Sequence, residues 1–502
     1  LLHAGFLRNA VAYPDRIAVI NGERKLSYGE LYQKAASLAE RLAKALPCNS
    51  DETPLVAVAL PKGWRQAVAV LGVLFAGAAY VPIEPGWPPL RRSAVLDEAM
   101  PLALVALENE KSEEWNGLPV LSIGEEARIA PVENFLKTDP QNLAYVIFTS
   151  GSTGMMNHAG AMATIEEINL RFGVTETDRV LALSSLSFDL SVYDFFGLWA
   201  AGGAAVIPDE NEIQYPEAWR RHMDGGGVTI WNSVPMFWQM LLESGEAPMQ
   251  APHLALLSGD RIPSALPSKS AELFARTRMV SLGGATEAGI WSICHEIMPD
   301  DPQPGWQSIP YGRALKGQSF HVLHGDFRPC PFGVPGELYI GGATLALGYL
   351  RNPQKTAEHF VVNPFTGERL YRTGDLGVRH ACGEIEFLGR IDSQVKIGGY
   401  RIELGDVEAA FAAMPELAVS AVVLTKHGQL AAFAVPKDWT RRPDSADVRL
   451  FVKERLPQYM VPPIIKIVEQ MPLSANGKLD RKKLAENHVP DAHTMREGIG
   501  GE

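Results

Sequence analysis

The sequence has few cysteines, no long apolar run and no run of basic residues. Its four cysteines, Cys48, Cys294, Cys330 and Cys382, are widely scattered. This spacing suits neither a zinc site nor a disulfide framework and is typical of a reducing cytoplasm. No apolar stretch reaches transmembrane length, and the net charge of −12 argues against a general nucleic-acid-binding protein. We therefore predict a cytoplasmic protein with neither a membrane nor a nucleic acid as partner.

An initiator methionine and a signal peptide are also absent, so we expect a piece cut from a longer protein. At 502 residues the chain is too long for one hydrophobic core. Apolar strands alternate with helical segments, which predicts an α/β fold with parallel sheets. Short alternating runs separated by Gly and Pro predict a β-rich subdomain at about 309–388. The predicted domains are a large core at 1–390, a small C-terminal domain at 391–486 and a linker tail at 487–502.

One loop has the composition of a phosphate-binding site. The apolar, aromatic run at 145–148 predicts a buried strand, and it ends at six small residues: Thr149, Ser150, Gly151, Ser152, Thr153 and Gly154. Glycines allow a tight turn, and their N–H groups can converge on an anion. An ordinary surface turn rich in serine and glycine is the alternative interpretation.

Three further polar clusters follow predicted strands. Asp189, within an apolar run, is either an anchor for a cationic substrate or a helix N-cap. Glu287, after the small residues 283–286, could hold Mg²⁺ between phosphates. Asp375 can hydrogen-bond to a diol such as ribose. Each cluster can also be a capped turn, but their occurrence at separate strand ends favours a ligand site.

Two other charged residues carry little information by themselves. Lys478 lies alone in a glycine-containing turn, and such a lysine is usually solvated, so only its context suggests a role. Asp194 lies in an aromatic-rich run that we interpret as a core helix.

Taken together, these motifs resemble adenylation domains of nonribosomal peptide synthetases, which belong to the adenylate-forming superfamily. The resemblance covers residues 26–484. It rests on segments at 26–31, 76–82, 149–154, 336–342, 371–376, 389–396 and 476–478. It implies the fold of acyl-CoA synthetases and luciferases, with a large N-terminal domain of two α/β sheets plus a β-rich subdomain. A small, mobile α+β domain follows.

The resemblance also implies ATP and Mg²⁺ as cofactors. The nucleotide-binding residues would be Thr149, Ser150, Gly151, Ser152, Thr153, Gly154, Gly283, Gly284, Ala285, Asp375 and Arg390. Thr286 and Glu287 resemble catalytic contacts to the adenylate, and Glu287 resembles the Mg²⁺ ligand. Lys478 resembles the catalytic lysine that bridges the substrate carboxylate and the α-phosphate. Asp392 resembles the hinge about which the small domain rotates.

Family pocket positions suggest the substrate. They are Asp189, Leu190, Tyr193, Asn232, Leu256, Ser258, Leu282, Ile290 and Trp291, together with Lys478. This set resembles cysteine-activating domains of pyochelin- and yersiniabactin-type siderophore synthetases. Asp189 resembles the partner of the substrate α-ammonium group, and Asn232 and Ser258 could meet a thiol. Serine or another small amino acid competes, because thiol and hydroxyl differ mainly in size and hydrogen-bond strength.

The resemblance therefore implies activation of an amino acid, expected to be L-cysteine, as the aminoacyl adenylate with release of pyrophosphate. Transfer to the phosphopantetheine thiol of a carrier domain would follow. The implied partners are that carrier domain and a condensation or cyclisation domain of the same synthetase. Two other functions compete. A stand-alone acyl- or aryl-CoA synthetase is disfavoured by Asp189, and a catalytically silent module is disfavoured by Lys478, Asp375 and Glu287.

One departure from the family pattern concerns the small-residue loop. The family continues from this loop into Pro-Lys-Gly, whereas here Met155 directly follows Gly154. Either the loop is truly shorter, or the intervening residues are hidden because the loop is too mobile to resolve. We favour the second interpretation, because glycine-rich nucleotide loops without ligand are often mobile.

Overall fold

The computed structural model describes residues 1–47, 52–125, 131–149, 152–245, 250–391, 394–425, 428–472 and 481–487. It divides into two compact units, one of residues 1–85 and 95–392 and the other of residues 86–94 and 393–502. The division assigns 86–94 to the smaller unit, whereas we expected these residues in the large core. The boundaries at 390 and 486 stay predictions.

The larger unit contains most of the strands and helices. Its strands are β1 (Ile17–Asn21), β2 (Arg24–Ser27), β3 (Leu55–Ala59), β4 (Ala79–Pro82), β5 (Ala103–Ala106), β6 (Val120–Ser122), β7 (Leu143–Thr149), β8 (Ser152–Asn157), β9 (Arg179–Ala182), β10 (Ala204–Val206), β11 (Ile230–Ser233), β12 (Leu254–Ser258), β13 (Arg278–Gly283), β14 (Ile293–Ile297), β15 (Arg313–Ala314), β16 (Gln318–Leu323), β17 (Gly336–Gly342), β18 (Gly348–Tyr349), β19 (Phe360–Val362), β20 (Arg369–Arg379) and β21 (Ile385–Arg390). Its helices are α1 (Ala4–Ala12), α2 (Tyr28–Ala45), α3 (Trp64–Phe75), α4 (Pro89–Ala99, which begins in the smaller unit), α5 (His158–Phe172), α6 (Leu190–Val192), α7 (Leu198–Ala201), α8 (Pro216–Gly226), α9 (Pro235–Glu243), α10 (Leu266–Leu273) and α11 (Pro353–His359).

These strands form three sheets. The nine-stranded sheet has the order β15-β14-β13-β12-β11-β9-β10-β1-β2, and the seven-stranded sheet has the order β18-β8-β7-β4-β3-β5-β6. Strands β16, β17, β19, β20 and β21 form the third sheet, which is five-stranded and antiparallel. The central strands of the first two sheets are mainly parallel and fully buried, as their continuous apolar runs predict.

Helix α2 shows how local sequence sets an element boundary. The Ser27 hydroxyl accepts a hydrogen bond from the Glu30 amide at 3.2 Å, and the Glu30 carboxylate accepts one from the Ser27 amide at 2.8 Å. This reciprocal capping box satisfies backbone donors that the first helical turn leaves unpaired.

The small-residue loop differs from the prediction. Strand β8 begins at Ser152 and runs unbroken to Asn157 across the Gly154–Met155 junction. It pairs antiparallel with β7, with Thr149 opposite Ser152. Ser152, Thr153 and Gly154 are therefore strand residues, and the interpretation that loop residues are hidden at this junction stays a prediction. Without the Pro-Lys-Gly segment, too few residues separate the two strands for a wide loop.

The smaller unit has its own core. Its strands and helices are β22 (Gln394–Ile397), β23 (Tyr400–Glu403), β24 (Leu417–Leu424), β25 (Leu430–Pro436), β26 (Ile464–Ile467), α12 (Leu404–Ala412), α13 (Ser445–Lys453) and α14 (Arg481–Asn487). Strands β24, β25 and β26 form a three-stranded sheet. Phe411, Val448 and Val452 are among the buried residues that pack in this core.

A partly buried histidine lies between two carboxylates in the larger unit. The imidazole Nδ1 of His295 is 3.2 Å from Glu384 Oε2, and its Nε2 is 3.0 Å from Asp301 Oδ2. Burial alone lowers the pKa of His295, but the hydrogen bonds to Glu384 and Asp301 outweigh burial and raise it above 6.5. Burial alone raises the pKa of Glu384, but the hydrogen bonds from His295 and Arg313 outweigh burial and hold this pKa below 4.5.

These pKa shifts predict how stability depends on pH. The stability that His295 contributes to the fold is complete below its unfolded pKa of 6.5 and is lost as pH rises through the higher folded pKa. The stability that Glu384 contributes is complete above its unfolded pKa of 4.5 and is lost as pH falls through the lower folded pKa. The thermal midpoint should therefore decline above about pH 6.5, and His295→Gln should remove part of this decline. The exposed His324→Gln is the control; equal pH profiles for both variants would contradict the assignment.

Candidate active site

The predicted pocket residues of three neighbouring strands share one face of the nine-stranded sheet. Asn232 on β11 pairs with Leu256 on β12, and Ser258 at the end of β12 pairs with Leu282 on β13. Register partners, and residues two apart in a strand, lie on the same face of a sheet. All four side chains are at most 3% exposed. The parallel strands thus bring these residues together near their carboxyl ends, where α/β sheets place their sites.

A helical segment supplies two more pocket residues, Leu190 and Tyr193. Both are buried, and Tyr193 begins a π-helical turn between α6 and α7 that ends at Gly197. The Tyr193 hydroxyl donates to Asn169 Oδ1 at 2.9 Å, which fixes the ring. A Cβ on Gly197 would lie 2.7 Å from that ring, so only glycine fits there.

The remaining pocket residues, Ile290 and Trp291, follow β13. The Trp291 indole N–H donates to Ser258 Oγ at 3.0 Å, and its ring lies 5.0 Å from that of Tyr193. Ile290 has a φ of +68°, which is rare for a β-branched residue. Such strain is characteristic of functional sites and is maintained by the surrounding structure.

Asp189 is buried beside the nucleotide segment. It precedes α6, but its side chain makes no capping hydrogen bond, so the N-cap alternative is wrong. Instead its Oδ2 accepts a hydrogen bond from Thr286 Oγ1 at 2.7 Å. This contact joins the predicted ammonium anchor to a residue predicted to touch the adenylate.

The predicted nucleotide segments also meet. A Cβ built on Gly154 would lie 3.6 Å from Thr286 Cγ2, and Gly154 pairs with Tyr349 of β18. The Tyr349 hydroxyl donates to Glu287 Oε1 at 2.9 Å, and Glu287 is only 1% exposed. The Thr153 hydroxyl donates to the Glu98 carboxylate, a contact that the sequence did not suggest.

Two glycines of the second nucleotide segment are required by packing. A Cβ on Gly283 would lie 2.8 Å from Ile293, and one on Gly284 would lie 3.0 Å from the Ser292 amide nitrogen. Ala285 follows them and packs against the core. Close packing is thus sufficient to explain both glycines, and their role at phosphates stays a prediction.

The predicted ribose-binding pair lies on adjacent strands. Asp375 of β20 and Arg390 of β21 are register partners, and Arg390 Nη1 donates to Asp375 Oδ1 at 2.7 Å. The same nitrogen donates to the Thr373 carbonyl oxygen at 2.7 Å. Asp375 is 6% exposed, so Arg390 holds a nearly buried carboxylate in one orientation.

Some predicted residues cannot be placed. Ser150, Gly151, Asp392 and Lys478 lie outside the described residues, and nothing is established for the side chains of Thr149 and Ser152. Their assigned roles stay predictions.

Sequence reasoning missed the group beneath Asn232. Asn232 Nδ2 donates to Asp194 Oδ1 at 2.8 Å, and Asp194 is fully buried. Burial raises the pKa of Asp194 to about 7, although Lys62 opposes that rise. Burial lowers the pKa of Lys62 to about 8, against the attraction of Asp194. The acidic residue within an apolar helix was the available clue, but its partner Lys62 is distant in sequence.

Comparison with known proteins identifies the family. The family model for AMP-binding enzymes matches residues 6–350, and the model for the C-terminal domain of AMP-binding enzymes matches residues 406–478. The chain belongs to the AMP-binding enzyme family.

Two relatives are bacterial proteins much longer than this chain. The enzyme is 46% identical to pyochelin synthetase PchF of Pseudomonas aeruginosa over 444 residues, 86% of this chain and 24% of that protein. It is 40% identical to the anguibactin system regulator of Vibrio anguillarum over 504 residues, 96% of this chain and 47% of that protein. The chain thus spans less than half the length of either relative.

A solved structure of the nonribosomal peptide synthetase FmoA3, in an alpha-methyl-L-serine-AMP bound form, is 32% identical with a TM-score of 0.73. The match covers 97% of this chain and 50% of that chain. These findings confirm the predicted resemblance, the adenylate-forming fold and the enzyme class. This AMP-binding enzyme is an amino-acid adenylating ligase that uses ATP and Mg²⁺.

The residues present fit Mg²⁺. Within the described part of the chain, no group of three or more His, Cys, Asp or Glu side chains could hold a metal. Mg²⁺ is usually held by one or two carboxylates together with substrate phosphates, so a single buried carboxylate such as Glu287 suits it. When bound, Mg²⁺ neutralises phosphate charge.

Among the described helices, none is long and apolar enough to span a bilayer.

Proposed function

We propose that the enzyme activates L-cysteine as cysteinyl-AMP, releases pyrophosphate and transfers the cysteinyl group to a carrier-bound phosphopantetheine thiol. The setting is nonribosomal, siderophore-type peptide synthesis in the cytoplasm. The observation that carries the proposal is the polar pair Asn232 and Ser258 on an otherwise apolar, buried face, beside the Asp189–Thr286 contact. The carrier domain and a condensation or cyclisation domain of the same synthetase are the proposed partners. The similarity to pyochelin synthetase PchF supports this setting.

The proposed chemistry requires positioning more than covalent catalysis. A substrate carboxylate oxygen attacks the α-phosphorus of ATP, and the bond from that phosphorus to the pyrophosphate oxygen breaks. The residues must align two anions and stabilise the developing charge. We assign Asp189 to the α-ammonium group, Thr286 and Glu287 to the adenylate, Asp375 and Arg390 to the ribose and Lys478 to the two reacting anions. The carrier thiol then attacks the carbonyl carbon, AMP leaves and a thioester forms.

Serine is the second candidate substrate. Its hydroxyl can make the same contacts as a thiol, and FmoA3 has been solved in an alpha-methyl-L-serine-AMP bound form. A size difference of this kind is worth about 1–3 kcal/mol, so selectivity over serine need not be absolute.

The deciding experiment is amino-acid-dependent exchange of pyrophosphate into ATP, with a panel of all proteinogenic amino acids. L-cysteine should give the highest rate, with serine as the principal competitor. A higher exchange rate with any other amino acid would overturn the substrate assignment. Acyl- or aryl-CoA formation without amino-acid-dependent exchange would favour the synthetase alternative. Absence of both exchange and ATP binding would favour a silent module.

A further inference from the structure

The larger unit contains a buried carboxylate, and a lysine that attracts it, which the reaction outlined above does not use. Asp194 is fully buried, and its Oδ2 has no hydrogen-bond partner among the described residues. Lys62, in the segment between β3 and α3, is the cation that acts on this carboxylate. Buried charges are costly unless paired, so their retention suggests a specific role.

Ser184 lies between the two charged groups in their electrostatics. Lys62 Nζ donates a hydrogen bond to the Ser184 carbonyl oxygen at 2.5 Å, and the Ser184 backbone amide helps to lower the pKa of Asp194 against burial. Glu84 and Glu210 also attract Lys62 electrostatically. Lys62 is thus fixed by a hydrogen bond while its charge acts on Asp194.

This arrangement fixes the orientation of the Asn232 amide. Its Nδ2 donates to Asp194 Oδ1 at 2.8 Å and to the Leu190 carbonyl oxygen at 3.4 Å, which uses both hydrogens. The attraction of Lys62 favours the ionised form of Asp194. An ionised carboxylate only accepts hydrogen bonds, so it selects the NH₂ side of the amide. Asn232 Oδ1 is left buried and without a partner among the described residues, and such an acceptor is costly unless a ligand pairs with it.

We propose that Asp194, supported by Lys62, is a positioning residue that presents Asn232 Oδ1 to the substrate side chain and so selects a hydrogen-bond donor. The favoured side-chain class is a thiol or hydroxyl. Ser258 complements this acceptor, because its Oγ accepts from Trp291 and its own O–H can still donate. The inference deepens the proposed function and depends on it.

The test compares L-cysteine with L-2-aminobutyrate, in which a methyl group replaces the thiol and no donor remains. In Asp194→Asn the new amide can donate, so the Asn232 amide can turn its NH₂ toward the substrate. The ratio of kcat/KM for L-cysteine to that for L-2-aminobutyrate in pyrophosphate exchange should fall by about tenfold or more. The change should lie in the KM for cysteine, with the KM for ATP unchanged.

Two further variants separate positioning from stability. Asp301→Asn removes another buried carboxylate, one that contacts His295, Met298 and Gln303, and should leave the ratio unchanged. The exchange Asp194→Asn with Asn232→Asp again places an acceptor toward the substrate and should restore the ratio. If Asp194→Asn does not fold, the double variant is compared directly with the wild type.

Each outcome decides the inference. In Asp194→Asn, an equal loss of kcat/KM for L-cysteine and L-2-aminobutyrate, which leaves their ratio unchanged, would overturn the inference. A double variant that does not prefer L-cysteine over L-2-aminobutyrate would also overturn it. If the wild type prefers serine, the cysteine assignment fails, and the ratio of serine to L-2-aminobutyrate then tests Asp194. A preferred amino acid without a side-chain donor would overturn the inference while leaving amino-acid adenylation intact. Absence of all amino-acid-dependent exchange would overturn both.

Discussion

Replacing Lys478 with alanine should abolish formation of the aminoacyl adenylate while leaving thioester formation from preformed adenylate largely intact. The proposed role of Lys478 is to bridge the substrate carboxylate and the α-phosphate, two anions that repel each other as they approach. Once the adenylate exists, this repulsion no longer has to be overcome. Alignment of reactants can supply about 7–11 kcal/mol of barrier reduction, so loss of the bridging cation should be severe.

The two half-reactions are measured separately. Pyrophosphate exchange reports adenylation, and a chemically prepared adenylate with a holo-carrier protein reports thioester formation. Lys437→Ala, which removes an exposed lysine of the same unit, should affect neither. Equal loss of both half-reactions in Lys478→Ala would contradict the proposed role.

Asp189→Ala should reduce kcat/KM for the amino acid by about a hundredfold or more, because it leaves the substrate ammonium group buried without its partner. The KM for ATP should change little, since the variant leaves Asp375 and Arg390 intact. The carboxylate is oriented by the 2.7 Å hydrogen bond from Thr286 Oγ1. Thr286→Val keeps the charge of Asp189 but removes this bond together with the proposed contact of Thr286 to the adenylate, and it should cost about tenfold or more.

A deaminated substrate gives the sharper measurement. 3-Mercaptopropionate is cysteine without its α-amino group, so the wild type should discriminate strongly against it. In Asp189→Ala this discrimination should largely disappear, because the ammonium group of cysteine then has no ionic partner and no longer favours binding. Retained preference for cysteine over 3-mercaptopropionate would assign the ammonium group to another residue.

Local features of the fold were predictable because their causes are local. The apolar runs at Leu55–Ala59 and Leu254–Ser258 are strands buried on both faces, and the Ser27–Glu30 capping box needs only four consecutive residues. The pocket residues on β11, β12 and β13 were identified by resemblance, but their common face follows only from strand register.

The contacts that were missed depend on long-range packing. Asn232 and Asp194 are 38 positions apart, and Tyr349 and Glu287 are 62 apart. No sequence pattern ties such residues together, because the folding of other strands decides which side chains meet. The ambiguity between cap and anchor at Asp189 had the same origin. Thr286, 97 positions away, supplies the hydrogen bond that a helix amide would otherwise have made.

The pairing of β8 on both edges has a thermodynamic consequence for nucleotide binding. Met155 is bonded into a ladder with Val146 on one side and Gly348 on the other. A free glycine-rich loop loses conformational entropy when a ligand orders it, and this loss weakens binding. Here the strand ladders have already ordered residues 152–157, so ATP bound as predicted would meet an ordered segment. That order would lower the entropic cost of binding, but it would also leave the segment little freedom to wrap around the phosphates.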